Sequence, residues 1–76
     1  MLGLMQSQGL LIHMLLERAQ RHHGDTEIVS RRVEGDIHRS NWATIARRAQ
    51  QVAHALDADN IPAGARVATL AWNGYR

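Results

Sequence analysis

Apolar residues return along this chain at two different intervals, and the intervals mark the elements. Leu11, Ile12, Leu15, Leu16 and Ala19 fall at i, i+1, i+4, i+5 and i+8, one face of an α-helix, with Glu17, Arg18 and Gln20 mostly off it. The spacing predicts a helix over about 9–23. Arg21, His22 and His23 lie in its last turn, where cations suit the helix dipole, and Gly24 is the expected left-handed terminator. Trp42, Ile45, Ala46, Ala49, Val52, Ala53 and Leu56 repeat the 3.6-residue period and predict a second helix over about 42–58. Its apolar face is mostly alanine, so a close neighbour must bring the bulk.

Between the helices the period shortens. Ile28 to Val33 is β-prone, Glu34-Gly35-Asp36 is turn chemistry, and Ile37 to Arg39 can return, which together predict a β-hairpin. Asn41 stands where an N-cap is needed, its side chain able to accept from an unpaired backbone N–H. After the second helix, Asn60 suits a left-handed cap and Pro62 stops the helix from resuming. Val67 to Trp72 is apolar on both faces, as in a strand inside a sheet covered on two sides, commonly a parallel one. Asn73-Gly74 then reads either as a hairpin turn or as the cap of a following helix. The order is helix, hairpin, helix, strand, an α/β fold class. It is expected to be an incomplete piece of a larger domain, with residues 1–76 forming no complete domain.

Composition narrows the chemistry. All nine basic residues are arginine, and there is no lysine and no cysteine. That excludes a Schiff base, a P-loop lysine, a disulfide and a thiolate metal site. A net charge of +2 is too mild to argue for nucleic acid. The apolar N-terminus carries no cation before Arg18, against a secretory signal, and Gln6, Ser7, Gln8 and His13 interrupt it, against a membrane span. A cytoplasmic location is the expectation. The five histidines offer no i, i+4 pair, so exposed polar histidine is the ordinary explanation. Ser30 and Ser40 lack the strained glycine-flanked turn of a nucleophile. Arg47-Arg48 on a helix would serve a DNA reader only with a short turn between two helices, where a hairpin is predicted instead. No catalytic, cofactor-binding or metal residue is assigned.

Taken together, the "HGDTEIVS" stretch, the hairpin "EGDIHR", the helix "ARRAQQVAHAL" and the closing "RVATLAWNGYR" resemble the start of the acyl-CoA synthetases of the AMP-binding, adenylate-forming superfamily. Within it the resemblance points to the medium- and long-chain fatty-acid–CoA ligases. Asn41 and Trp42 stand at the family's Thr/Ser-aromatic cap, Ala53 and Leu56 at its Ala-x-x-Leu, and Gly64, Arg66, Val67 and Asn73 at its turn and strand. Thr44 replaces the acidic residue that completes the cap, Asp59 an apolar residue, Asn60 a glycine and Ala65 an aspartate, while Pro62 comes one place early. The resemblance implies a parent enzyme that joins a fatty acid to AMP using ATP and Mg²⁺, then passes the acyl group to CoA. It implies that the phosphate loop, Mg²⁺ ligand and catalytic lysine lie beyond these residues, so that the chain is inactive alone. The implied partner is the remainder of the ligase, with no nucleic acid and no transmembrane segment, and homo-oligomerisation stays open. The reading set against it is a free-standing small basic helical module that binds a partner such as nucleic acid.

Overall fold

A computed structural model describes residues 3–76; Met1 and Leu2 of the apolar N-terminal stretch lie outside the described residues. The elements run α1 (His13–His23), β1 (Glu27–Arg31), β2 (Ile37–Asn41) and α2 (Trp42–Ala58). The α/β content and the helix–hairpin–helix order follow the sequence expectation.

α1 starts later than the predicted residue 9. Ile12 precedes it with no side chain to cap the free N–H groups, and the entry is closed by two short-range bonds, Met14 N to Leu11 O and Leu15 N to Ile12 O. Gly9 adds the entropic cost of glycine in a helix, so nothing stabilises the missing turn. At the other end Gly24 is right-handed (φ −54°, ψ −37°), not left-handed as expected. Its requirement is space. A Cβ there would stand 2.9 Å from the Gln20 carbonyl oxygen and 3.7 Å from the Ala43 Cβ. The Gly24 carbonyl accepts from the Ala43 N–H at 3.0 Å, which ties the end of α1 to the start of α2.

The hairpin pairs antiparallel in the register Ile28 with Ser40, Ser30 with His38 and Arg31 with Ile37. Gly35 N bonds Arg32 O at 2.9 Å and Arg32 N bonds Asp36 O at 2.8 Å. This is the pattern of a three-residue loop closed by a positive-φ residue, and Gly35 at φ 95° supplies it without a Cβ penalty. A diagonal pair, Arg39 Nη1 to Glu27 Oε1 at 2.9 Å, braces the outer face of the ladder.

β2 runs directly into α2. Asn41 is both the last strand residue and the helix cap: its backbone is extended (φ −144°, ψ 170°) and its Oδ1 accepts from the Thr44 N–H at 2.9 Å. Such a cap contributes about 0.5–2 kcal/mol. α2 ends as the sequence requires, with Asn60 left-handed at φ 58°. Ile61 N bonds Leu56 O and Asn60 N bonds Asp57 O, the paired closure of a Schellman motif.

Helix α1 lies on α2, and α2 meets β2. Only Ala46, at 4% exposure, is buried among the described residues. Met14, Leu16 and Ala19 of α1 and Trp42, Ile45 and Leu56 of α2 are half-buried. Leu11, Ile12, Leu15, Ala49, Val52 and Ala53 belong to the predicted apolar faces yet stay exposed. The radius of gyration is 16.3 Å, against about 11 Å for a compact domain of this length.

The predicted strand over 67–72, the one meant to open a parallel sheet, does not form. The single sheet among the described residues holds β1 and β2 alone, and residues 65–72 join no ladder. A strand exists through its partner's hydrogen bonds, and among the described residues no segment pairs with this one. Leu70 and Trp72 stand in solvent. Among the described residues no helix is long and apolar enough to cross a membrane.

Candidate functional site

The segment that joins no ladder still returns to the folded part at its end. There Tyr75 lies face to face with His38 of β2, ring centroids 3.5 Å apart and planes inclined by 9°. Two guanidinium groups approach the same phenol ring, Arg48 of α2 at 5.4 Å and Arg76 at 5.6 Å. Arg76 donates a 2.5 Å hydrogen bond to Glu34 in the hairpin turn. Arg32 Nε stands 2.8 Å from Asp36 Oδ1 and 3.5 Å from Glu34 Oε2, ion pairs without the alignment of a hydrogen bond. A cleft of about 240 Å³ runs between Arg31–Val33 and Ala71–Arg76.

The hydrogen bond from Arg76 holds the Glu34 carboxyl below its ordinary value near 4.5, helped by its own backbone N–H and the nearby Arg32 charge. The same bond raises Arg76. A carboxyl depressed by a contact stabilises that contact above its free value and releases it as pH falls through the lowered one. The Arg76–Glu34 bond is therefore expected to persist at pH 6 and to be lost in strong acid. A pH titration of the Glu34 side-chain carbon by NMR checks it, a midpoint at or above 4.5 being the contrary result. Both groups face water, so salt weakens the bond as well.

The candidates weighed from sequence do not converge. His13 pairs with Glu17 at 3.6 Å along α1, while His22 and His23 sit at its far end and His54 is exposed on α2. Among the described residues no three histidine, aspartate or glutamate side chains gather as a metal site. Ser30 lies opposite His38 in the ladder, but no side-chain hydrogen bond joins them, and His38 Nδ1 has no partner. Ser40 lies opposite Ile28. Arg47 is exposed while Arg48 is drawn toward Tyr75, so the two do not form one cationic face. The grouping of His38, Arg48 and Tyr75 carried no sequence signal, since its members are far apart in the chain and follow no spacing rule.

What the arrangement offers is a small scaffold with broad uncovered apolar surface. Comparison with known proteins supplies the context. No family model matches the chain. Over all 76 residues it is 45% identical to a 3-methylmercaptopropionyl-CoA ligase of Ruegeria lacuscaerulensis, covering 14% of that protein. Over the same 76 residues it is 41% identical to a medium-chain-fatty-acid–CoA ligase of Ectopseudomonas oleovorans, again 14% of its length. It is 38% identical over 72 residues to a long-chain-fatty-acid–CoA ligase of Thermus thermophilus, 13% of that protein. The chain resembles the N-terminal part of CoA ligases. It spans about one-seventh of the length of these curated relatives. The match takes in every element described above, from α1 to the segment carrying Tyr75. The ligase likeness expected from the Asn41–Trp42 cap, the alanine-rich helix and the closing apolar run is thus found again in whole sequences.

Proposed function

We propose that this chain is the N-terminal part of an adenylate-forming ligase that activates a fatty acid with ATP and transfers the acyl group to CoA. The observation that carries the reading is the 38–45% identity over essentially the whole chain to a 3-methylmercaptopropionyl-CoA ligase, a medium-chain and a long-chain fatty-acid–CoA ligase. In this reading residues 1–76 belong to an AMP-binding domain completed by further polypeptide, and residues 67–72 become a strand once that polypeptide pairs with them. ATP, Mg²⁺ and CoA are substrates and cofactor of the whole enzyme. No residue of this chain is assigned to hold them: it has no lysine for a phosphate or for a developing acyl-phosphate charge. Among the described residues no set of carboxylates converges on a cation. The role of these residues is structural, and the chain alone is inactive.

The test is to express the full reading frame that contains this sequence and to measure pyrophosphate release with ATP, CoA and a panel of carboxylates. The panel spans medium- and long-chain fatty acids and 3-methylmercaptopropionate. Turnover of the fatty acids, with none from residues 1–76 alone, is the expected result. Turnover of 3-methylmercaptopropionate only would overturn the fatty-acyl specificity, and no carboxylate-dependent release at all would overturn the ligase reading.

A further inference from the structure

Beyond Leu56 every residue of the chain is exposed except Tyr75, which is half-buried. That exception coincides with the place where the trailing segment touches the rest of the fold. Past Ala65, whose N–H bonds Pro62 O at 3.1 Å, no backbone hydrogen bond holds the segment among the described residues. Val67, Leu70 and Trp72 reach no apolar partner that buries them. Position at the end of the chain must therefore come from side chains.

We propose that Tyr75 is a clasp that fixes the 65–76 arm to the β2–α2 unit and so sets the direction in which the chain leaves that unit. Three surfaces meet on its ring. His38 covers one face at 3.5 Å, Arg48 of α2 lies at 5.4 Å, and Arg76 lies at 5.6 Å with its other side held by Glu34. The phenol is thus gripped by both elements that flank the Asn41 cap, a strand residue before it and a helix residue after it. A flat aromatic ring suits this task because it buries a large area while losing few rotatable bonds, and its electron-rich face attracts guanidinium. The clasp stands on contacts within this chain and does not depend on the ligase reading.

Cysteine cross-linking on the protein at its natural length tests it. Val33 and Asn73 line the cleft beside the clasp, so a Val33→Cys, Asn73→Cys pair treated with a short bismaleimide reads the position of the arm and leaves His38 and Tyr75 in place. With Tyr75 intact, a peptide linked between the two positions is expected. Adding Tyr75→Ala is expected to cut its yield about tenfold, the loss of one aromatic pair and its cation contacts. Tyr75→Phe keeps the ring and is expected to keep the link. No linked peptide with Tyr75 intact would overturn the proposal, and so would equal yield with Tyr75→Ala or equal loss with both variants, since the ring would then not be the holding group.

Discussion

Purified by itself, the 76-residue chain will elute from a sizing column as self-associated material, and residues 67–72 will exchange their amide hydrogens fastest within the folded part. The cause is surface. The chain exposes 7319 Å², where a compact monomer of this mass exposes about 4,700 Å². Much of the difference is apolar. Leu15 is 72% exposed, Val52 60%, Leu70 104% and Trp72 82%. Fully burying one such side chain contributes about 1.5–3 kcal/mol. A core this small seldom supplies more than about 3–5 kcal/mol in total, so covering even two of them matches everything the chain gains from its own packing. The hairpin adds two open edges, and a two-stranded ladder is marginal without support. Light scattering on the eluate, with hydrogen exchange on the same sample, measures both halves of the expectation. A sharp monomer peak with strong protection over 67–72 would sink it.

Ala46→Leu should be the most damaging single apolar exchange in the chain. Ala46 is the one buried side chain among the described residues and lies on α2, the helix that both α1 and β2 pack against. The helices are held close on this side by the Gly24–Ala43 approach and its 3.0 Å backbone bond, so they cannot separate without breaking it. Added methylenes in such a contact cost about 1–3 kcal/mol, a large share of the small total available. Ala53→Leu makes the same chemical change on the exposed part of the same helix, and is expected to stay within about 0.5 kcal/mol. Thermal melts followed by far-UV circular dichroism compare the two. Equal melting temperatures would mean that the α1–α2 contact contributes little to stability.

Elements set by neighbouring residues were legible in the sequence. Asn41 announced the start of α2, Asn60 its end and Gly35 the hairpin turn, because a cap or a tight turn is decided by residues within about four positions. Features decided by distant partners were not. The 67–72 run has the composition of a buried strand, but composition does not create the edge it must pair with. Position alone makes Gly24 look like a left-handed terminator, whereas it stays right-handed with the Gln20 carbonyl close behind it and its own carbonyl engaged by Ala43 of the next helix. The 3.6-residue period marked Ala49, Val52 and Ala53 as apolar without saying whether anything covers them. The Tyr75–His38 stack links residues far apart in the chain, and no local pattern foretells it. The CoA-ligase likeness was legible because it rests on the order of elements and their local signals, which survive even where the distant contacts are missing.

Asn41 ends a strand and begins a helix with no residue between them. The joint therefore has no slack. Each residue of an α-helix advances the face by about 100°, so one residue inserted at this joint would rotate α2 against the hairpin and break the shared hold of His38 and Arg48 on Tyr75. Lengthening the 60–66 loop would do neither. Changes of length during divergence should accordingly be tolerated after α2 and rejected before it, and the hairpin and α2 should move together as one rigid unit joined at Asn41.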